Sequence, residues 1–221
     1  MNWELVIGFF VALLAILNPL SKVPLFIAVT GEMRPGVRRA MAVLISAVIF
    51  GLLMLFLFTG QAILDFFGIS LPAFQVAGGL LLLLSGLAMV SGTEQTLESK
   101  AVQAVSKNDF EEASARLRDI MIPLAVPLSV GPGSISVAIL YANQAKTGYD
   151  WLGYSVAVLL VSVICLITLL ASNPIARVLG DNAMQIANRI FGLLIAAIGV
   201  QFILVGLAKV TTIFNMKALG L

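Results

Sequence analysis

The hexapeptide Pro19-Leu20-Ser21-Lys22-Val23-Pro24 has a counterpart in Pro127-Leu128-Ser129-Val130-Gly131-Pro132, and each interrupts an otherwise apolar run. A proline removes one intrahelical hydrogen bond and clashes with the preceding turn, so two prolines five residues apart argue against a continuous helix at either place. Inside a bilayer, the freed N–H and C=O groups are tolerated only where protein or a water-filled cavity satisfies them. The two breaks therefore indicate a binding site within a membrane.

The composition around these breaks is that of a membrane protein. Of the 221 residues, 60% are hydrophobic and only 11% are charged, whereas a soluble domain is about 25% charged. The first apolar run has neither the preceding positive charge nor the cleavage site of a signal peptide, so we expect it to remain as a span. The net charge of +2 is too small to indicate a nucleic-acid partner, and the single cysteine excludes a thiol relay.

Six apolar runs have the roughly 20 residues that cross a bilayer. They are Leu5 to Val29, Ala40 to Gly60, Leu71 to Val90, Ile120 to Ala142, Trp151 to Ala171 and Ile186 to Leu207. We expect an all-α integral membrane protein with six transmembrane helices, of which helices 1 and 4 are broken at the proline motifs. A polar segment separates the third run from the fourth, and its second half, residues 108–118, fits either a surface helix or a solvated linker.

Landmarks recur through the chain at a nearly constant offset. Pro19 and Pro127 are 108 positions apart, Gly68 and Gly180 are 112 apart, and both Gly79 and Gly192 and Gly86 and Gly199 are 113 apart. The sequence thus predicts a first three-helix repeat in residues 1–91, a polar loop in 92–119 and a second repeat in 120–221. Because three is an odd number of spans, the second repeat must be inverted, as in many secondary transporters.

The distribution of Lys and Arg predicts the orientation. One side of the membrane receives nine of them, namely Arg34, Arg38, Arg39, Lys100, Lys107, Arg116, Arg118, Arg177 and Arg189, and the other side receives Lys146, Lys209 and Lys217. The side with nine should be cytoplasmic. We therefore expect a cytoplasmic polar loop and both termini outside.

The two breaks supply the candidate site. Half-helices that begin near Ser21 and Ser134 would bring unpaired N–H groups and the positive ends of helix dipoles to the bilayer midplane, where anions bind. Half-helices that end near Asn18 and Val126 would offer free carbonyls, which suit an ammonium group or a cation. A cavity with both features is complementary to a zwitterion. The simpler alternative is that these prolines and glycines only kink packed helices.

The predicted substrate-binding residues are Asn18, Pro19, Leu20, Ser21, Lys22, Pro127, Ser129, Gly131, Gly133 and Ser134. We expect Gly131 and Gly133 to allow a positive φ and close backbone approach to the ligand. Lys22 is the one charged residue well inside a predicted span. Two interpretations remain open, a functional buried charge and a long side chain that carries its ammonium to the interface.

The spans contain no obvious group for acid–base or metal chemistry. The chain has no histidine, and Glu4 and Asp65 lie at the ends of spans. A proton relay and a catalytic cluster therefore have no candidate members. We expect no enzyme activity, no cofactor and no metal site, and sodium is the coupling cation that backbone carbonyls and hydroxyls would suit.

Four stretches carry a resemblance to a known family. They are Asn18-Pro19-Leu20 with Pro24-Leu25-Phe26, Pro123-Leu124-Ala125-Val126-Pro127 followed by Gly131-Pro132-Gly133, Arg189-Ile190-Phe191-Gly192-Leu193-Leu194, and Gly199-Val200-Gln201-Phe202-Ile203. Over nearly its whole length, the chain resembles the MarC family of six-span bacterial and archaeal inner-membrane proteins. That resemblance implies an inner-membrane location. The characterised SnatA branch implies transport of small neutral amino acids such as glycine and alanine.

Three functions fit these observations. The leading hypothesis is a secondary transporter of small neutral amino acids that works by alternating access, with the substrate and membrane lipid as its partners. A passive channel for a small neutral solute would need the breaks but no alternation. A non-transporting scaffold would instead use the polar loop to bind a cytoplasmic partner. The sequence leaves the oligomeric state open.

Overall fold

The computed structural model describes residues 3–31, 33–92 and 130–218, and all regular structure in these ranges is α-helical. The helices are α1 (Trp3–Leu17), α2 (Lys22–Thr30), α3 (Pro35–Phe66), α4 (Leu71–Ser91), α5 (Pro132–Ala142), α6 (Gly148–Leu170) and α7 (Ser172–Ala218). Helix α7 is interrupted at Gly180, whose φ of 65° and ψ of 171° are not helical. The predicted surface helix and the first half of the predicted fourth span lie outside the described residues.

Four helices are long and apolar enough to cross a membrane: α3, α4, α6 and the part of α7 from Ala183 to Thr211. They correspond to the second, third, fifth and sixth predicted spans. Two shorter apolar helices, Trp3–Leu17 and Gly133–Ala142, overlap the first and fourth predicted spans, respectively. The prediction of an all-α membrane protein is therefore confirmed. The first predicted span is also interrupted as expected, because α1 ends at Leu17 and α2 begins at Lys22.

Helix α3 is longer than the predicted run from Ala40 to Gly60. Its 32 residues correspond to about 48 Å at about 1.5 Å per residue, whereas the hydrocarbon layer is only about 30 Å thick. Pro35 starts the helix because its fixed φ suits the first turn. The hydropathy pattern missed both ends, since polar residues continue a helix beyond the apolar layer.

Local capping signals set the ends of α4 and α6. Ser70 accepts a hydrogen bond from the Ala73 N–H, and Gly92 ends α4 with a φ of 75°. Thr147 and Asp150 form a capping box at the start of α6, in which each side chain accepts a hydrogen bond from the other residue's backbone N–H. These caps satisfy N–H and C=O groups that the helix termini would otherwise leave unpaired.

The most extensive contact between two helices is that of α4 with α7, and glycines make it possible. A Cβ added at Gly79 would lie 2.6 Å from the Gly199 carbonyl oxygen, and one at Gly86 would lie 2.5 Å from the Gly192 carbonyl oxygen. From the first contact to the second, the residue number increases on α4 and decreases on α7. The two helices are therefore antiparallel. Glycine at these positions therefore permits the two helix backbones to approach closely.

Arg38 ties three helices together at one end of the bundle. Its guanidinium donates hydrogen bonds to Ser172 Oγ at 2.7 Å and Asn173 Oδ1 at 2.8 Å. It also lies 5.6 Å from the centre of the Phe26 ring, within the range of a cation–π contact. Helices α2, α3 and the start of α7 are thus linked on the side predicted to be cytoplasmic.

Candidate functional site

The two helix breaks lie side by side because α1 and α5 pack against each other. The rings of Phe9 and Tyr141 are 5.1 Å apart at one end of this contact. At the other end, a Cβ added at Gly133 would lie 3.6 Å from Ile16 Cγ2. Helix α1 ends one residue after Ile16, and α5 begins one residue before Gly133. The structure therefore brings the end of α1, where the first break begins, close to the start of α5.

Asn18 makes the turn at the first break. Its φ is +36°, and no other non-glycine residue in the described part of the chain has a positive φ. Asparagine tolerates this region better than most residues because its short polar side chain can bond locally. Ser21 then donates two hydrogen bonds to the Asn18 carbonyl oxygen, from its N–H at 3.2 Å and from its hydroxyl at 2.9 Å. The prediction of a free carbonyl at Asn18 is wrong, because Ser21 occupies it.

The second break has the same turn built on different residues. Ser134 donates to the Gly131 carbonyl oxygen from its N–H at 3.1 Å and from its hydroxyl at 2.9 Å. Pro132 follows Gly131 and starts α5, two residues earlier than the predicted start near Ser134. The Asn18 turn and the Gly131 turn are 113 positions apart, so Pro19 corresponds to Pro132. The hexapeptide match instead pairs Pro19 with Pro127, at an offset of 108, and Pro127 lies outside the described residues.

The prediction that Gly131 and Gly133 adopt a positive φ is also wrong. Gly131 is extended, with φ of −73° and ψ of 168°, a conformation that suits a residue before proline. Gly133 is helical. A Cβ added there would lie 2.5 Å from Leu82 Cδ2, so glycine at this position allows α5 to approach α4.

The half-helices present fewer N–H groups than predicted. Pro132 at the start of α5 and Pro24 in the first turn of α2 have no N–H to offer. The N–H groups of Ser21 and Val23 donate to the Asn18 and Leu20 carbonyls. The positive ends of the two helix dipoles remain at the breaks.

Two amide residues that the sequence reasoning missed lie in buried positions. Asn188 on α7 is 5% exposed, and its Oδ1 accepts a hydrogen bond of 3.0 Å from Nδ2 of Asn18, which is 2% exposed. Gln75 on α4 is 7% exposed. Within the ranges that the structure describes, Asn18 Oδ1 and Gln75 Oε1 are buried acceptors with no hydrogen-bond partner. Gln75 and Asn188 are 113 positions apart, and that offset was the sequence signal that could have found them.

The remaining predicted site residues have different surroundings. Pro19 is buried, whereas Leu20 and Lys22 are half-buried. Lys22 is the first residue of α2. Pro127 and Ser129 lie outside the described residues.

The buried polar groups near the breaks are uncharged. Asn18, Asn188, Ser134 and Ser136 are all more than nine-tenths buried. In residues 3–31, 33–92 and 130–218, no three His, Cys, Asp or Glu side chains are grouped so that they could hold a metal ion. Amides and hydroxyls in such an arrangement can bind a small polar molecule by hydrogen bonds.

Comparisons with known proteins gave a consistent result. Residues 3–211 match a family model described as MarC family integral membrane protein. The chain is 31% identical over 209 residues to a membrane protein of Buchnera aphidicola subsp. Schizaphis graminum, covering 95% of this chain and 94% of that protein. It is 32% identical over 211 residues to the inner membrane protein MarC of Citrobacter koseri, covering 93% and 95%. No solved structure matches the chain.

Proposed function

The chain belongs to the MarC family of integral membrane proteins, and from this premise we propose that it is a secondary transporter of small neutral amino acids such as glycine and alanine. Its relatives' names and its apolar helices make it a multi-pass protein of the inner membrane. The observation that carries the proposal is that the break after α1 lies beside the start of α5, where the buried polar groups are uncharged.

A zwitterion fits this arrangement better than an ion does. The positive dipole ends of α2 and α5 begin at the breaks and favour a carboxylate. The unpartnered Asn18 Oδ1 is an acceptor for an ammonium N–H. Because the polar groups more than nine-tenths buried near the breaks are neutral, a cation would lose its hydration without gaining a countercharge. A neutral amino acid brings both charges with it.

Alternating access would follow from an inverted repeat. Two features support such a repeat: the serine turns at both breaks have the same hydrogen bonds, and the glycine contacts are reciprocal. If Gly79 is exchanged with Gly192, and Gly86 with Gly199, the contact between Gly79 and Gly199 becomes the contact between Gly192 and Gly86. That relation is the one a two-fold axis generates. Movement of one repeat relative to the other would then open the site to each side in turn.

The remaining parts of the proposal come from the sequence. The termini face outward and the polar loop faces the cytoplasm, because of the Lys and Arg bias. No cofactor takes part, and the coupling cation, if transport uses one, is sodium. The protein has no enzymatic role.

Counterflow in proteoliposomes tests the proposal. Vesicles that contain the purified protein and unlabelled glycine or alanine should accumulate labelled substrate transiently, with a rate that saturates. A channel would give flux that neither saturates nor shows counterflow. Asn18→Gly should reduce the rate, whereas Asn143→Leu, a change at an exposed asparagine, should leave it unchanged. Flux that is identical in protein-free vesicles would overturn the proposal.

A further inference from the structure

The orientation of the Asn18 amide carries information about the ligand. Its Nδ2 donates to Asn188 Oδ1 at 3.0 Å, so the donor end of the amide is occupied. Its Oδ1 is buried and has no partner among the described residues. A buried acceptor without a donor is costly, and such groups usually bond to protein, water or a ligand. This oxygen therefore needs a donor that the described residues do not supply.

The backbone carbonyls of Asn18 and Gly131 are not free acceptors. The Asn18 carbonyl accepts two hydrogen bonds from Ser21, and the Gly131 carbonyl accepts bonds from Ser134. These two carbonyls are therefore already bonded within their own turns. A ligand that donates hydrogen bonds would meet the Asn18 side-chain oxygen instead.

We propose that Asn18 Oδ1 accepts an N–H of the substrate's ammonium group, and that Asn188 is a positioning residue that holds the Asn18 amide with this oxygen toward the substrate. This inference rests on the proposed function and narrows it. The substrate must carry at least one N–H on its amino nitrogen. A fully methylated nitrogen has the same charge but no donor, so it is excluded even though it remains a zwitterion.

The turn offers a substitution that removes the acceptor and retains the backbone. Asn18 has a positive φ, which glycine adopts without strain. The corresponding residue in the second turn is already a glycine, Gly131. Asn18→Gly therefore removes Oδ1 with little disturbance of the break. At the positioning residue, Asn188→Asp retains an acceptor for Asn18 Nδ2, whereas Asn188→Leu removes it.

The test measures binding of glycine, sarcosine, N,N-dimethylglycine and betaine to the full-length purified protein by titration calorimetry. These ligands offer three, two, one and no N–H bonds on the same carboxylate. In the wild type, affinity should fall along the series, by about tenfold or more from glycine to betaine, as expected for loss of a charged hydrogen bond. Alanine and sarcosine are isomers, so alanine should bind more tightly than sarcosine if N–H donation rather than size decides.

The variants separate recognition from folding. Asn18→Gly should weaken glycine binding by about tenfold or more. It should also make the four ligands bind with similar affinity, because the lost acceptor served only ligands with an N–H donor. Asn188→Leu should flatten the series in the same way, and Asn188→Asp should restore the ranking. Asn143→Leu is the matched control and should behave as the wild type. Circular dichroism and size-exclusion profiles check that each variant is folded.

Several results would overturn the inference and leave the proposed function standing. Betaine that binds the wild type as tightly as glycine would show that no N–H is recognised. An Asn188→Leu protein that binds every ligand more weakly but keeps the ranking would make Asn188 structural only. If Asn188→Leu does not fold, Asn188→Asp decides, because loss of the ranking in that variant contradicts the positioning role. Absence of binding and flux for every amino acid would instead defeat the proposed function itself.

Discussion

Replacing Gly79 by alanine should destabilise the protein by a predictable amount. The new Cβ would lie 2.6 Å from the Gly199 carbonyl oxygen, whereas ordinary contact begins at 3.4 Å. The obstacle is backbone, which cannot rotate away, so α4 and α7 must move apart along their whole crossing. Overpacking of this kind costs about 1–3 kcal/mol. Alanine returns up to about 1 kcal/mol through its higher helix propensity.

Gly51→Ala is the matched control for this variant. Gly51 lies in the interior of α3, and a Cβ there meets nothing within 4 Å. Both substitutions gain the same helix propensity. The difference between the two variants in the free energy of unfolding therefore isolates the packing cost. Thermal unfolding in detergent should show Gly79→Ala melting below Gly51→Ala by roughly 2–12 °C. Gly199→Ala should give a similar loss, because its Cβ would lie 2.6 Å from the Gly79 carbonyl oxygen.

Equal melting temperatures for Gly79→Ala and Gly51→Ala would refute the reasoning about the crossing. A large loss for Gly79→Ala with no loss for Gly199→Ala would also contradict it, since the contact is reciprocal. Size-exclusion profiles of each variant check that aggregation does not lower the apparent melting temperature.

Three further predictions concern topology and charge. A reporter fused at Leu221 should report the outer side and one near Gln103 the cytoplasm, and the reverse pattern would contradict the orientation taken from the Lys and Arg bias. Asp65→Asn should leave transport and its dependence on a proton gradient unchanged, because this exposed carboxylate bonds only to Gln61 in the described structure; a loss of proton-driven uptake would show otherwise. If the Lys22 ammonium contacts the substrate carboxylate, Lys22→Met should raise the Michaelis constant for transport more than it lowers the maximal rate. An unchanged Michaelis constant would place Lys22 outside the site.

The features that the sequence predicted correctly, the apolar helices and the first helix break, depend on residues close together in the chain. Apolar run length and proline position gave the helices and the break after Leu17, because both effects act within a few residues. The positive φ fell on Asn18 and not on Gly131, although each of these residues precedes a proline, so the rule for residues before proline does not separate the two. Glycine is the usual residue for a positive φ, and asparagine is one of the few others that tolerate it.

The candidate site was less predictable because it depends on distant contacts. The serine hydroxyls were expected to face a ligand, but each bonds to a carbonyl three residues earlier. The amides of Asn188 and Gln75 are single polar residues within apolar helices, and only the packing of α7 and α4 shows that they are buried. The hexapeptide match drew attention to Pro127, although the hydrogen bonds at the breaks relate Pro19 to Pro132.

The hydrogen bond between Asn18 and Asn188 has a consequence for how the protein is made. The two residues are 170 positions apart, so at about 5–20 residues per second the ribosome adds the second roughly 9–34 s after the first. During that interval, the Asn18 amide has entered the membrane without its partner. The nascent chain must therefore keep the first break hydrated or held by the insertion machinery. The site is completed only when α7 has been inserted, among the last segments of the chain.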